Sequence, residues 1–304
     1  MPGIIHKLAH NGFSNAYLLL SITSLCWAGN FVVGRGIYQE VPPVTLATIR
    51  WFGAFLIILP FAWTHLVKDW PTIKKHWLIM IVLGSIGIGS FNTLVYIGVN
   101  YTTAINGLIM NSASPVFMAI MAFLLFKERI SLRQCTGILL SIIGVCVVIS
   151  RGNITSFGNL TFNKGDLFVL AAFFVWAVYT VLLRLRPDIH NLSFLSMTFI
   201  LAALANTPFL LLELWSGRII HLSSNSAAGL LYVMIFPSII GYLFYNRGIK
   251  LIGANRGGAF LHLVPVFGAI MAVLFLGETL ENFHIIGFLA IITGVIMTTK
   301  KPAS

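Results

Sequence analysis

Long apolar segments, separated by short polar loops, follow one another along the whole chain. A helix of about 20 apolar residues crosses the hydrocarbon core of a bilayer, which is about 30 Å thick. Ten segments meet or approach that length, near residues 15–34, 44–64, 77–99, 104–126, 133–150, 166–184, 192–213, 226–246, 256–276 and 282–299. The pattern predicts an all-α polytopic membrane protein with ten transmembrane helices.

The composition agrees with a protein that lies in a bilayer. Hydrophobic residues make up 58% of the chain and charged residues 9%, and the mean hydropathy is +0.93. A soluble core could not bury that much apolar surface. The first apolar segment has no Ala-x-Ala-like cleavage site and is followed directly by others, so we expect it to remain as a helix.

The second half of the chain repeats the first at an offset of 150 residues. Pro115-Val116-Phe117 returns as Pro265-Val266-Phe267, and an offset shorter by one residue matches Trp27 to Trp176. Such internal similarity indicates two copies of one structural unit. We interpret residues 1–150 and 165–304 as five-helix repeats joined by the polar linker 151–164. The seven-residue spacing of Gly137 and Gly144, and of Gly287 and Gly294, places each pair on one helical face and predicts close helix contacts. Other matched pairs are Gly98 with Gly248, Ala104 with Ala254, Gly107 with Gly257, Glu128 with Glu278, Gly137 with Gly287, and Gly144 with Gly294.

The distribution of Lys and Arg predicts the orientation, because cytoplasmic loops are enriched in these residues. With a cytoplasmic N-terminus, the outer segments hold only Arg35, Arg151, Lys164 and Arg218. Both termini are then cytoplasmic, and the second copy enters the membrane inverted relative to the first. Inverted repeats are typical of carriers that alternate between outward-open and inward-open states. The inner segments hold Lys7, Lys68, Lys74, Lys75, Lys127, Arg129, Arg133, Arg184, Arg186, Arg247, Lys250, Arg256, Lys300 and Lys301.

Two features of each copy resemble a known family. The first helix carries Trp27-Ala28-Gly29-Asn30-Phe31 in one copy and Trp176-Ala177-Val178-Tyr179 in the other. The fourth helix carries Pro115 or Pro265 and ends at Glu128 or Glu278. In these respects the chain resembles the EamA-type members of the drug/metabolite transporter superfamily. The resemblance implies a cavity lined mainly by the first, third and fourth helices of each copy. It also implies transport of amino acids, other metabolites or drugs, mostly outward.

Polar and aromatic residues within the first helix of each copy are candidates for substrate binding. Trp27 and Asn30 share one face of the first helix, and Trp176 and Tyr179 share one face of the sixth. Each pair offers an aromatic surface beside a hydrogen-bonding group. The alternative is that both Trp side chains pack in the core or belong to an interfacial belt, but Trp27 lies about 18 Å along its helix.

Further candidates lie in the third, fourth, eighth and ninth helices. Asn111 precedes Pro115, where the missing N–H predicts a local break that exposes polar backbone. His262 precedes Pro265 and is either a proton-coupling group or a neutral partner of Asn111 or Ser112. The remaining candidates for substrate binding are Asn92, Tyr96 and Tyr242, with Tyr242 preferred to Tyr245.

Arg50 is the one charged residue well inside a predicted span. It lies about 10 Å below the outer end of its helix, and its span contains no acid. Two interpretations stay open. The side chain either extends outward towards Glu40 or faces the cavity as a partner for an anionic substrate group.

The motifs of several other classes are missing from the sequence. It contains no G-x-x-x-x-G-K-[ST] loop and no H-E-x-x-H pair, and Cys26, Cys135 and Cys146 have no metal-ligand spacing. The basic residues form short clusters rather than the continuous surface that nucleic acid requires. We therefore expect no enzyme, catalytic residue, metal or cofactor, and no nucleic-acid partner.

The sequence thus favours a secondary transporter of the inner membrane of a bacterium that exports a small metabolite, amino acid or drug. The alternatives are an uptake carrier or exchanger and, from another class, a membrane scaffold or embedded enzyme. Homo-oligomerisation stays open.

Overall fold

Helices form all the regular secondary structure in the described part of the chain. The computed structural model describes residues 15–127, 131–152, 163–252 and 259–299, and these ranges contain no β-strand. Helices α3 and α9 each consist of three parts. The helices are α1 (Ala16–Gly36), α2 (Pro43–Lys75), α3 (Trp77–Ile81, Val82–Ser90 and Phe91–Val99), α4 (Ala104–Asn111), α5 (Ser114–Phe126), α6 (Leu132–Ile149), α7 (Lys164–Leu182), α8 (Asn191–Trp215), α9 (Ser224–Val233, Met234–Ile240 and Gly241–Ile252), α10 (Leu263–Leu276) and α11 (Asn282–Thr299).

Each predicted apolar segment overlaps a helix of the described chain. Six of these helices are long and apolar enough to cross a membrane, and α4 with α5 would form a seventh span, bent by 47° near Pro115. Shorter apolar helices occur at Leu132–Val148, Phe260–Leu276 and Asn282–Met297. The protein is therefore an all-α, multi-pass membrane protein. The ten crossings and the inverted orientation of the repeats stay predictions.

The second helix extends well beyond the predicted segment 44–64. It runs from Pro43 to Lys75, a length of 33 residues, or about 50 Å of rise. Hydropathy locates the part of a helix that suits hydrocarbon, but it does not mark where the backbone stops being helical. The last turns carry Lys74 and Lys75, and the Lys74 ammonium lies 5.5 Å from the centre of the Trp70 ring.

Large apolar side chains cover the outside of the molecule. Phe61, Leu274 and Phe275 are each exposed by 70% or more. In water such a surface would cause association, whereas lipid chains solvate it. The interior contains the polar residues: Asn30, Arg50, Asn92 and Asn206 are all buried.

Two π-helical segments interrupt α3 and α9 at corresponding places in the two halves. Val82–Ser90 lies within α3 and Met234–Ile240 within α9, and the offset of 150 relates 84–90 to 234–240. Pro237 lies in the segment of α9 and has no N–H to donate within its helix. Its counterpart in the segment of α3, Gly87, lies directly against the Tyr179 side chain. Single π-helical turns often occur at functional sites, and both of these segments border the site described below.

Helices α6 and α11 meet through glycines. A Cβ atom added to Gly144 would lie 2.7 Å from the Gly287 carbonyl oxygen, and one added to Gly287 would lie 2.9 Å from the Gly144 carbonyl oxygen. Gly294 similarly lies against the Gly137 carbonyl, and the Ser141 hydroxyl donates to the Ile291 carbonyl at 3.2 Å. Small residues allow two backbones to approach closely in a membrane, as the repeated glycines suggest.

Carboxylates from the second half of the chain cap two helices of the first half. Glu213 accepts hydrogen bonds from the Val44 and Thr45 N–H groups at the start of α2. Glu278 accepts from the N–H groups of Ala104 and Ile105 at the start of α4, at 2.8 and 3.0 Å. These N–H groups have no partner within their own helices, and the helix dipole favours an anion there.

We expect Glu278→Gln to lower the stability of the folded protein by about 1 to 3 kcal/mol. A glutamine side chain has one oxygen and one NH2 group. One of the two N–H groups at the start of α4 would therefore face the NH2 group and lose its hydrogen-bond acceptor. Glu281→Gln is the matched control, because Glu281 is exposed and accepts from Thr279 in the same loop. Thermal unfolding in detergent should show a lower midpoint for Glu278→Gln only. Equal midpoints for the two variants would contradict this role.

Candidate functional site

A buried polar cluster surrounds the guanidinium of Arg50, whose side chain is 2% exposed. Nη1 donates to Asn30 Oδ1 at 2.8 Å, to Tyr96 Oη at 2.9 Å and to Asn92 Oδ1. Nε donates to Ser238 Oγ at 2.8 Å. The Tyr96 hydroxyl donates in turn to Asn30 Oδ1 at 2.6 Å. We call these five residues the Arg50 cluster.

Four helices supply the Arg50 cluster. Asn30 comes from α1, Arg50 from α2, and Ser238 from the π-helical segment of α9. Asn92 and Tyr96 lie four residues apart on α3 and therefore share one face of it. A charged group is costly inside a membrane protein unless it is hydrogen-bonded, and here the partners of the charge come from both halves of the chain.

The structure excludes one of the two interpretations of Arg50, and the role as a partner for an anionic substrate group stays a prediction. Its side chain does not reach Glu40, whose carboxylate accepts instead from the Ser223 hydroxyl. Carboxylates elsewhere in the described chain lie near helix ends or in loops, and the hydrogen bonds of Arg50 join it to neutral groups. Glu128 lies outside the described residues. The other acids are Glu40, Asp69, Asp166, Asp188, Glu213, Glu278 and Glu281.

An aromatic cluster lies next to the Arg50 cluster. The ring of Trp27 is 6.3 Å from Trp176, 5.7 Å from Tyr242 and 5.2 Å from Tyr245, measured between ring centres. Trp176 also packs against Tyr179 at 5.1 Å and Phe91 at 5.0 Å. Such spacings are those of favourable aromatic pairs. We call these six residues the aromatic cluster.

Two short stretches of chain connect the clusters. Trp27 and Asn30 are three residues apart on α1, about 4.5 Å of rise. Pro237 and Ser238 are adjacent in α9: the Pro237 carbonyl accepts from Trp27 Nε1 at 3.0 Å, and Ser238 Oγ accepts from Arg50. The two clusters therefore form one interior site with a cationic end and an aromatic end.

Eight of the ten residues predicted as substrate-binding candidates lie in these clusters. They are Asn30, Arg50, Asn92 and Tyr96 in one and Trp27, Trp176, Tyr179 and Tyr242 in the other. Their role in substrate binding stays a prediction.

Asn111 and His262 join neither cluster. The Asn111 carbonyl accepts from the Ser114 hydroxyl at 2.7 Å, at the break between α4 and α5. His262 ends the 3₁₀ turn Ala259–His262 before α10. Within the described residues no hydrogen bond joins it to Asn111 or Ser112, and the buried Ser112 hydroxyl has no partner. Of the two alternatives for His262, the hydrogen bond to Asn111 or Ser112 is therefore not formed, and the role in proton coupling stays a prediction.

Ser238 and Phe91 were not predicted from the sequence, and Tyr242 was preferred to Tyr245. Tyr245 in fact lies closer to Trp27 than Tyr242 does. One signal could have revealed Ser238, because it follows Pro237 in the middle of an apolar segment. A proline there predicts disturbed helical hydrogen bonding and hence accessible polar backbone.

The fold and this site define a multi-pass membrane protein with a polar and aromatic interior. Comparison with family models gives two matches to the EamA-like transporter family, at residues 14–150 and 163–300. The chain belongs to the EamA-like transporter family. It is thus a membrane transporter, and the matched ranges correspond closely to the two halves of the internal repeat.

Individual relatives match the sequence of this chain over nearly their full length. The chain is 30% identical over 287 residues to the uncharacterized transporter YyaM of Bacillus subtilis (strain 168), covering 93% of this chain and 92% of the relative. It is also 30% identical over 291 residues to an uncharacterized transporter of Archaeoglobus fulgidus, covering 95% and 98%. A solved crystal structure at 15% identity matches with a TM-score of 0.61 over 93% of this chain and 95% of that one, which shows a shared fold.

Proposed function

We propose that the protein is a secondary transporter that exports a small metabolite, amino acid or drug across the inner membrane by alternating access. The observation that carries the proposal is the interior site: a buried cation and an aromatic cluster, built from both halves of an EamA-family chain. Polar groups inside a membrane protein are expensive and commonly mark a substrate pathway. The export direction is inferred from the family resemblance.

Crossed glycine contacts support the inverted arrangement of two five-helix repeats. Gly144 meets Gly287, and Gly137 meets Gly294, although the repeat pairs Gly137 with Gly287 and Gly144 with Gly294. The first glycine of each copy thus meets the second glycine of the other copy. That reciprocity is the property of a two-fold interface. Helices related by a two-fold axis in the membrane plane have opposite orientations.

The aromatic cluster shows the same reciprocity. Trp27 and Trp176 are counterparts in the repeat and lie next to each other. Trp27 also lies against Gly241, while Trp176 packs on Phe91, the counterpart of Gly241. A site at the axis that relates two inverted repeats would stay in place while they exchange conformations, which is the geometry that alternating access requires.

The orientation is testable with reporters. We expect fusions after Lys68 or Arg184 to report cytoplasmic locations, and insertions at Gly217 or Asn159 to report external ones. The physical reason is the concentration of Lys and Arg in the inner segments. Asn159 lies outside the described residues, but its position between the repeats makes it decisive. An internal signal there would overturn the inverted arrangement.

The function itself requires a flux measurement. The metabolite content of cells with and without the protein should first be compared, and the solute that changes most should then be followed in proteoliposomes. We expect its flux to require the protein. Flux that is equal in protein-free liposomes for every solute tested would favour the scaffold or enzyme alternatives, and flux only into cells would favour uptake.

A further inference from the structure

Two histidines from different halves of the chain stack on each other far from the interior site. The ring centres of His65 on α2 and His190, directly before α8, are 3.6 Å apart, and the ring planes differ by 7°. Asp69 lies four residues after His65, on the same face of α2, and its carboxylate accepts from the His190 N–H at 2.9 Å. We call these three residues the His65 link. The distribution of Lys and Arg predicts that this end of the molecule faces the cytoplasm.

The geometry of the His65 link requires uncharged imidazoles. Nδ1 of His190 accepts from the Leu192 N–H at 3.3 Å and thereby caps α8, so this nitrogen carries no proton. A proton there would remove the acceptor from an N–H group that has no partner within its own helix. Two protonated rings 3.6 Å apart would also repel each other, because both carry a positive charge. Protonation therefore weakens the link in two ways.

The charged groups around the His65 link can offset one positive charge but not two. Asp69 is the carboxylate that contacts His190, and Arg186 donates to Asn191 Oδ1 at 2.7 Å and adds positive charge nearby. Residues 77–99, 191–212 and 224–240, which pack on α2, contain no charged residue. The charged side chains closest in sequence to the link are Lys68 and Asp69 on α2 and Arg184, Arg186 and Asp188 before α8.

The pKa of His190 sets the sign of the pH dependence. Partial burial lowers this pKa from its ordinary value of 6.5, the neighbouring His65 lowers it as well, and Asp69 acts in the opposite direction. If the link opens, His190 recovers its ordinary pKa, so below about pH 6.5 the open form binds more protons than the stacked form. The link is therefore stable above about pH 6.5 and weakens as the pH falls below it. One pH unit lower, each additional proton shifts the equilibrium about 10-fold towards the open form.

A metal ion does not explain why the two histidines meet. The lone pairs of an imidazole lie in the plane of its ring, and two parallel planes 3.6 Å apart do not direct them to one point. The Asp69 carboxylate is directed to the His190 N–H. Among the described residues no group of three His, Cys, Asp or Glu side chains could hold a metal ion. The stack is thus a contact between two rings.

We propose that the His65 link is a pH-sensitive latch between the two halves of the protein, closed when both imidazoles are neutral and released when the solution at that end becomes acidic. His65 lies 15 residues from Arg50 on the same helix, about 22 Å of rise. Release would therefore free the end of a helix that reaches the interior site. The inference goes beyond the proposed transport function, and its test needs no solute.

The test measures a distance across the His65 link by pulsed electron paramagnetic resonance. Spin labels are attached to cysteines at Val67 on α2 and Leu185 in the connection to α8, which are 61% and 50% exposed. The natural cysteines are first replaced by alanine. The full-length protein is measured in lipid nanodiscs at about pH 8 and about pH 5.5, on either side of the ordinary histidine pKa. The natural cysteines are Cys26, Cys135 and Cys146.

Three variants separate the link from other effects of pH. His65→Phe keeps a ring that can stack on His190 and attracts rather than repels a cation. His190→Asn keeps a side chain that caps helices well, and also the backbone N–H that donates to Asp69, but it cannot be charged. His76→Phe is the matched control, because His76 is an exposed histidine at the end of α2.

We expect the open population of the wild type to rise about 10-fold at the lower pH, seen as longer distances between the labels. The control His76→Phe should behave like the wild type. His65→Phe and His190→Asn should keep the distribution of pH 8, because neither can place two cations in the stack. If one of these two variants does not fold, the other still decides the question.

Three results would overturn the latch. The first is a distribution of the wild type that is the same at both pH values. The second is a change of full size that persists in His65→Phe or His190→Asn. The third is a change that His76→Phe also removes, which would mean that any histidine near this end has the effect. Each of these results would leave the transport proposal intact, since no flux is measured.

Discussion

Gly144→Leu should prevent accumulation of folded protein. In the structure a Cβ at residue 144 would lie 2.7 Å from the Gly287 carbonyl oxygen and 2.9 Å from the Ile291 backbone nitrogen. These neighbours are backbone atoms, so no change of rotamer can make room. Overpacking typically costs about 1 to 3 kcal/mol, and a leucine here would have to separate α6 from α11.

The experiment measures membrane-inserted protein and its thermal unfolding in detergent for a graded set of variants. Gly144→Ala should lower the unfolding midpoint, and Gly144→Leu should leave little folded material. Gly107→Ala is the control, because its Cβ would make an ordinary contact of 3.4 Å with the Phe31 ring. If Gly144→Leu accumulates and unfolds like Gly107→Ala, the close contact of α6 with α11 is refuted.

Trp27→Ala and Trp176→Ala should each reduce transport strongly and to a similar extent. Each removes one of the two indoles that lie 6.3 Å apart at the centre of the aromatic cluster. Truncation of a fully buried aromatic side chain typically costs about 3 to 5 kcal/mol of packing, and these two half-buried indoles should each contribute part of that amount. Even a third of that amount, lost from substrate binding, would lower flux about 10-fold.

Initial rates should be measured for the solute that the metabolite comparison identifies. Trp63→Ala is the matched control, because the Trp63 side chain is 60% exposed on the apolar outer surface. Trp27→Phe adds a finer test: it keeps a ring but removes the hydrogen bond from Nε1 to the Pro237 carbonyl. An equal loss of flux in Trp63→Ala would mean that the effect comes from general destabilisation rather than from the site.

The sequence by itself determined the helices, the repeat and the chemical character of the site. Apolar length and the position of Pro115 predicted where helices lie and where one breaks, because burial in hydrocarbon and the missing N–H of proline act locally. The matched glycines predicted close helix contacts. Trp27 and Asn30 were recognised as neighbours because the helical period places residues three apart on one face.

Only the tertiary structure decided which side chains meet. The Nε of Arg50 binds Ser238, which is 188 positions away in the chain, and the sequence of α2 alone left Glu40 as an equal alternative. Helical periodicity gives the face and depth of a residue, but not how each helix is rotated against its neighbours. That rotation is set by packing between distant segments, such as the glycine contacts of α6 with α11. For the same reason His262, for which a partner at Asn111 or Ser112 was one alternative, makes no hydrogen bond to either of them in the described part of the chain.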